Sequence, residues 1–334
     1  MMVLDATTLP LIFVTLMGLS ILLYVILDGF DLGVGLLMPF ATPDERDRMI
    51  ASIGPFWDAN ETWLVLAIGL LLVAFPAAHG TILTALYLPV TVMLIGLILR
   101  GVAFEFRAKA PRTQKPWWDR AFFAGSLMTA LSQGFMLGIY ILGLRWTWAS
   151  VAFALLTAGA LTVAYSFIGA AWTILKTDGA LQTKAVRWAR GGIWGVVLGM
   201  GSVSLATPLT SDRIMDKWFG FPEIVLLAPL PLWSLALIVM LWVSLRNLPS
   251  ANDRFAWLPF VGAIGLMALG FAGMAYSFYP YIVPEQMVLY DAAAAPESLR
   301  IIFYGALVVI PVILAYTVLA YVIFRGKATQ LSYD

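Results

Sequence analysis

The chain has no cysteine, a single histidine and few charges. The missing cysteine excludes disulfides, iron–sulfur ligation and thiolate chemistry. One histidine, His79, leaves little to ligate a haem, because a bis-axial site normally needs at least one His. The 14 Met residues are scattered through apolar runs and read as packing. This chain is therefore expected to ligate no metal and to hold no full set of redox cofactors by itself. Walker loops, zinc motifs and hydrolase elbows are all missing, so soluble-type catalysis has no support. Charged residues make up only 12% of the chain, about half the share of a soluble domain. A net charge of +1 argues against nucleic acid as a partner.

What fills the space is apolar: 61% of the residues are hydrophobic and the mean hydropathy is +0.90. Surplus apolar surface on this scale needs lipid, and runs long enough to cross a hydrocarbon core of about 30 Å recur throughout. Spans are predicted at Leu11–Phe40, Ile50–Phe75, Thr81–Phe106, Ala121–Leu144, Ser150–Leu175, Val186–Ala206, Ile224–Leu245, Trp257–Tyr279 and Leu299–Phe324. The first is long enough to tilt or bend. Met1–Leu9 carries no Lys or Arg and precedes an apolar segment far longer than a signal peptide's core, so a cleavable signal is not expected. With no linker or clear repeat, residues 1–334 read as one all-α membrane domain.

Of the 20 Lys and Arg, fifteen fall in the odd-numbered loops and C-terminus, and four in the even loops. The positive-inside rule then puts the N-terminus outside and the C-terminus in the cytoplasm, as an odd number of spans requires. Trp117, Trp118, Trp146, Trp148, Trp218 and Trp257 mark span ends and read as interfacial anchors. Gly191, Gly195 and Gly199 form a small-residue ridge suited to helix packing, and Ser132, Gln133 and Gly134–Gly138 suggest a polar helix contact.

The remaining charges lie inside spans, where each costs several kcal/mol unless it finds a partner in the bundle interior. The first span holds Asp28 and Asp31, the second Asp58 and Glu61, and the third Arg100, with Glu105 nearer its end. At 1.5 Å per residue, Asp31 lies roughly 13 Å from its cytoplasmic span end and Asp28 roughly 18 Å. The same count gives roughly 12 Å for Asp58, roughly 16 Å for Glu61 and roughly 9 Å for Arg100. The five groups are thus expected in one layer, each acid pair sharing a helix face. Gly29, Gly33 and Gly35 remove bulk beside the first pair.

Four acids and one Arg cannot all be ionised in a low dielectric, so such a cluster holds protons and suits a relay. Asn60, Thr62 and Ser52 are candidates to extend it by hydrogen bonding. Two other readings of the same residues stand beside this one. The cluster could only tie three helices together, although buried ion pairs are weak sources of stability. It could also hold a hard cation, since carboxylates and Asn suit one.

At these residues the sequence resembles a known family. Asp28-Gly-Phe-Asp-Leu-Gly-Val-Gly35 followed by Gly54-Pro-Phe-Trp-Asp-Ala-Asn-Glu-Thr-Trp63 is similar to subunit II of cytochrome bd-type quinol oxidases. Gln133-Gly-Phe-Met-Leu-Gly138, Tyr279-Pro-Tyr-Ile-Val-Pro284 and Asp291-Ala-Ala-Ala-Ala-Pro-Glu-Ser298 corroborate it, and the resemblance covers essentially the whole chain. The compact length, Ala59 and Thr62 look more like the cyanide-insensitive branch.

The resemblance implies nine transmembrane helices, arranged as two four-helix bundles plus one peripheral helix, in the bacterial cytoplasmic (inner) membrane. It implies a homologous subunit I carrying the quinol site, haem b and haem d (or haem b in its place), with small single-helix accessory subunits and lipid as further partners. Such a complex oxidises quinol, reduces O2 to water and takes its protons from the cytoplasm. Subunit II would support assembly and contribute to proton uptake. Asp58 is then the leading relay residue, with Glu61, Asp28 and Asp31 as neighbours. Arg100 and Trp57 would sit near the partner's haems, and a structural quinone in this chain is compatible with the family. The competing classes are an ion-coupled transporter, since intramembrane Asp and Arg also mark coupling sites, and a structural scaffold.

Overall fold

The computed structural model describes residues 7–209, 211–250 and 253–328. Residues 1–6 and 329–334, the chain ends whose sides of the membrane the charge bias predicts, lie outside the described residues. Among the described residues the secondary structure is almost entirely helical, and nine helices are long and apolar enough to cross a bilayer.

The order begins with α1 (Thr8–Leu37), which runs on through a 3-10 turn at Met38–Phe40, then α2 (Pro43–Ile53) and α3 (Trp57–Ala74). Next come α4 (Pro76–Lys109), α5 (Lys115–Ile141), α6 (Trp148–Lys176) and α7 (Gly179–Leu209). The short helices α8 (Asp212–Phe219) and α9 (Glu223–Leu227) lead into α10 (Pro229–Arg246) and α11 (Leu258–Phe278). An antiparallel hairpin, β1 (Tyr281–Val283) and β2 (Met287–Val288), and the turn-like α12 (Leu289–Ala292) precede α13 (Pro296–Ile323).

One sequence expectation changes at the second span. The apolar run from Ile50 to Phe75 is not one helix: Gly54-Pro55-Phe56 separates amphipathic α2 from apolar α3. Gly54 keeps helical angles (φ −48°, ψ −44°), but Pro55 supplies no N–H for the Ala51 carbonyl and the Phe56 N–H turns to the Ile53 carbonyl, which ends α2. Helix α2 starts at Pro43, with the Thr42 backbone N–H donating to Glu45 Oε2 at 2.7 Å, a capping arrangement. A second break follows α3 at Phe75, and His79 lies in the first turn of the third spanning helix.

Helix α4 bends at Leu86, whose backbone is non-helical, three residues before Pro89. Pro89 cannot donate to the Ala85 carbonyl. That carbonyl instead accepts from Trp146 Nε1 at 3.0 Å, so a residue read as a membrane anchor also caps the bend.

Helix α1 runs through the middle of the packing, and every residue from Asp28 to Leu37 is buried. It crosses α6 so closely that a Cβ on Gly33 would overlap the Tyr165 carbonyl, while one on Gly169 would meet the Gly33 backbone. Helices α4 and α5 meet in the same way at Gly96 and Gly125. In lipid, where apolar surface gives no special drive for helices to associate, such close backbone approach supplies the contact. Gly195 and Gly199 pack α7 against Val163 and Ala160 of α6, whereas Gly191 has nothing near it, so the ridge is only partly used.

The end of the molecule with most basic residues is laced by ion pairs. Arg107 binds Asp47 (2.8 Å) and Asp119 (2.5 Å), Arg46 binds Asp119 (3.1 Å), and Lys115 binds Asp47 (3.0 Å). Lys184 binds Glu45 (2.5 Å), which ties α2 to α7. The segment that follows α13 is pinned here as well. Lys176 Nζ donates to the Phe324 and Gly326 carbonyls, and Lys327 reaches both the Thr177 carbonyl and Asp253. At the opposite end the hairpin is fixed by Tyr140 Oη donating to the Ile282 carbonyl, and the Ala294 N–H donates to the Ala74 carbonyl.

Candidate functional site

The Gly-Pro break decides where the second acid motif lies. Phe56 is buried, stacked on Tyr321 (ring centroids 4.6 Å) and edge-on to Trp172 (5.5 Å), and this fixes the start of α3. Asn60 and Trp63 then face inward and are buried, while Asp58 and Thr62 face outward.

Asp28, Asp31 and Arg100 meet in the interior, with 0%, 0% and 1% of their surfaces exposed. Arg100 Nη2 donates to Asp28 Oδ1 at 2.5 Å and lies 3.9 Å from Asp31 Oδ2. Asn60 Nδ2 donates to the same Asp31 oxygen at 2.8 Å and to the Leu27 carbonyl at 3.2 Å. Tyr321 Oη, on α13, donates to Asn60 Oδ1 at 2.9 Å. One row therefore crosses α4, α1, α3 and α13. Asp28 Oδ2, Asp31 Oδ1 and Arg100 Nε are buried without a hydrogen-bond partner among the described residues. Buried polar atoms are costly when unsatisfied, so these three mark a place built for a proton, water or a further polar group.

A second polar row continues along α1. Gln133 Nε2 donates to Tyr24 Oη at 2.5 Å, and Tyr165 Oη donates to Gln133 Oε1 at 2.6 Å. Tyr24 lies one turn before Asp28, so the row adjoins the ion cluster. Gln133 is legible in the sequence as a polar contact, whereas the tyrosines look like ordinary core residues in an apolar run. Tyr321 looks the same.

Asp58 and Glu61 stand differently from the inner pair. Asp58 is exposed in the first turn of α3, and Glu61, one turn on, is partly buried. Glu61 lies within electrostatic reach of Arg100, Asp28 and Asp58. Asp58 senses Glu105, exposed on α4, as well as Arg100. Trp57 is half-buried and packs on Phe104 with ring centroids 4.9 Å apart. The surface around these acids is apolar and open, including Val65, Ile68 and Leu72 of α3 and Ile98 and Val102 of α4.

The five groups are therefore near one another, but only three are sealed inside. Two proposed extensions do not join: Thr62 Oγ1 donates back to the Asp58 carbonyl at 2.9 Å, and Ser52 Oγ to the Met49 carbonyl at 2.7 Å. Short hydroxyl side chains on helices commonly bond back to the preceding turn.

No group of three or more His, Asp or Glu able to hold a metal occurs among the described residues. His79 sits 21 residues before Arg100 on α4, about 30 Å away along the helix. The donor set of this chain does not fit haem ligation.

Among the described residues, nine helices apolar enough to span a bilayer, with an ionic row buried among them, define a multi-pass membrane protein with a charged interior. The profile of one family, cytochrome bd terminal oxidase subunit II, matches residues 9–324. The chain belongs to that family and is thus a subunit of an oxidoreductase complex of the bacterial cytoplasmic membrane. It is 27% identical to the cytochrome bd-I ubiquinol oxidase subunit 2 of Escherichia coli K12, over 98% of this chain and 97% of that one. It is 28% identical to the cytochrome bd ubiquinol oxidase subunit 2 of Bacillus subtilis, over 91% and 92%. The bd oxidase structure from Geobacillus thermodenitrificans shares its fold, with a TM-score of 0.76 at 17% identity, covering 96% of this chain and 100% of that one.

Proposed function

We propose that this subunit carries protons from the basic, cytoplasmic side toward a companion subunit I, through a cluster in which Asp58 is the leading relay residue and Glu61, Asp28, Asp31 and Arg100 are its neighbours. The observation that carries this reading is the continuity of the site. Glu61 stands between acids open to the surface and a buried row whose carboxylates outnumber its one cation. Two buried carboxylates opposite one guanidinium favour holding one proton, because an uncompensated charge in low dielectric is expensive. A site that holds one proton and touches a surface acid can accept another as it releases the first.

Family membership supports association with subunit I, and the apolar face of α3 and α4 around Asp58, Trp57 and Glu105 is the surface that fits it. Subunit I would carry the quinol site, haem b and haem d or a second haem b. Trp57 and Arg100 would then lie on the side nearest those haems, and the subunit would support assembly as well as proton uptake. The N-terminus outside, the C-terminus inside, a single membrane domain over 1–334, and two four-helix bundles plus a peripheral helix belong to the same proposal. The charge bias of the loops supports the orientation.

The test is Asp58→Asn in the purified complex. Oxygen consumption with quinol is expected to fall while haem absorbance stays at the wild-type level. Wild-type turnover in that variant would remove Asp58 from the path.

A further inference from the structure

Six of the fifteen basic side chains at the cytoplasmic end, Arg46, Arg48, Arg107, Lys115, Lys184 and Lys327, form ion pairs with carboxylates. Three of the remaining cations share one corner. Arg187 and Arg190 of α7 and Arg246 at the end of α10 are exposed, and among the described residues none of them forms an ion pair.

Two of these arginines head a groove. Between α7 and α10 lies a hollow of about 220 Å³ walled by Trp194, Val197, Val239 and Trp242. At Ile193, Trp194 and Trp242 it meets a second hollow of about 200 Å³, whose far wall is Arg190, Leu245 and Arg246. The first is lined wholly by apolar side chains, and the second ends in two guanidinium groups. Both are held in place. Arg246 lies over the Trp242 ring, 3.7 Å from its centroid. Arg190 Nε donates to the Leu245 carbonyl at 2.8 Å, and its Nη2 donates to the Leu248 carbonyl at 3.1 Å and the Arg246 carbonyl at 3.3 Å. The carbonyl bonds fix the Arg190 guanidinium without neutralising it.

We propose that this groove binds one anionic phospholipid of the cytoplasmic leaflet, with its phosphate on Arg190 and Arg246 and an acyl chain between Trp194 and Trp242. Guanidinium groups bind phosphate oxygens through charge-assisted hydrogen bonds. Basic pockets between spanning helices on the cytoplasmic side suit anionic headgroups. A zwitterionic lipid would bring its amine to a corner that lacks a carboxylate to receive it. A slot walled by two tryptophans also suits a chain better than a helix, which prefers small residues at its contact. The choice of leaflet rests on the orientation proposed above; the binding itself does not.

The test uses the intact complex in phosphatidylcholine nanodiscs carrying spin-labelled phosphatidylglycerol or spin-labelled phosphatidylcholine, and reads the motionally restricted fraction. Wild type is expected to select phosphatidylglycerol. Arg246→Gln should lower that selectivity about fivefold, the factor that one basic residue near an anionic surface carries. Val197→Trp, which fills the groove without changing charge, should release the restricted lipid. Arg112→Gln removes an exposed charge from another loop and should leave selectivity unchanged.

Equal restriction of the two lipids would overturn the proposal. So would an equal loss in Arg112→Gln, which would indicate diffuse surface charge, or an undiminished signal in Val197→Trp. A co-purified polypeptide occupying the groove would overturn it too. Should Arg246→Gln fail to assemble, Val197→Trp alone still decides the matter. Nanodiscs expose both leaflets and the readout is lipid, so a wrong orientation or an inactive proton path would leave this result unchanged.

Discussion

Asp28 and Asp58 are both aspartates inside glycine-containing motifs on apolar helices, yet one is sealed under Arg100 and the other stands open. The inner group is held by partners from α1, α3, α4 and α13, so its charges act as structure as well as chemistry. The outer group, Asp58, Glu61 and Glu105, has no ion-pair partner among the described residues and surrounds itself with exposed apolar side chains. Removing an inner charge should therefore damage the fold, and removing an outer one should damage only function.

The largest expected effect is Arg100→Gln. It strands two buried carboxylates, at a cost of about 3–5 kcal/mol. Loss of assembled complex on size exclusion is expected, and a fully assembled, heat-stable variant would erase the distinction between the two groups. Next comes Glu61→Gln, at the junction. Quinol-driven oxygen uptake should drop on the order of a hundredfold, the scale of losing a positioned proton-transfer group. Its thermal midpoint should match wild type.

Tyr321→Phe deletes a single neutral hydrogen bond to Asn60. A loss of about 1 kcal/mol is expected in denaturant titrations, with activity largely kept.

The smallest effect concerns pH, outside the bilayer. Burial would push the Asp47 carboxyl up, but hydrogen bonds from Lys115 and Arg107 outweigh it and hold the group below 3.8. Glu45 is likewise held below 4.5 by Lys184 and the Thr42 cap against the opposing effect of burial. A carboxylate depressed in the folded state contributes stability above its unfolded value and loses it as pH falls through the folded one. Hydrogen exchange should therefore show α2 loosening only below about pH 4. Loosening at neutral pH would contradict these pairings.

Much of this site was legible because charge inside an apolar run is rare. Asp28, Asp31 and Arg100 stood out on that ground alone, and the structure brings them into contact. Asn60 was legible as a neighbour of the second acid pair. Depth along a span, however, says nothing about which way a residue faces. That is why Asp58, counted into the buried layer, proves exposed. The Gly54-Pro55 signal was present but lay inside a continuous apolar run, and the run was read through it. Tyr321 could not be found from local pattern, because its partner lies 261 residues away and a tyrosine in an apolar helix looks like packing. The short hairpin after α11 escaped for a related reason: two strands of three and two residues are too brief to show a period.

The lysine corner at the end of the chain bears on the order of assembly. Lys176 and Thr177 lie near the middle of the chain, yet the groups they meet belong to residues 324–327 of 334. During synthesis the α6–α7 junction must wait, its ammonium uncapped, until the residues that follow α13 have been made. Closing that corner thus reports that α13 has been made and threaded.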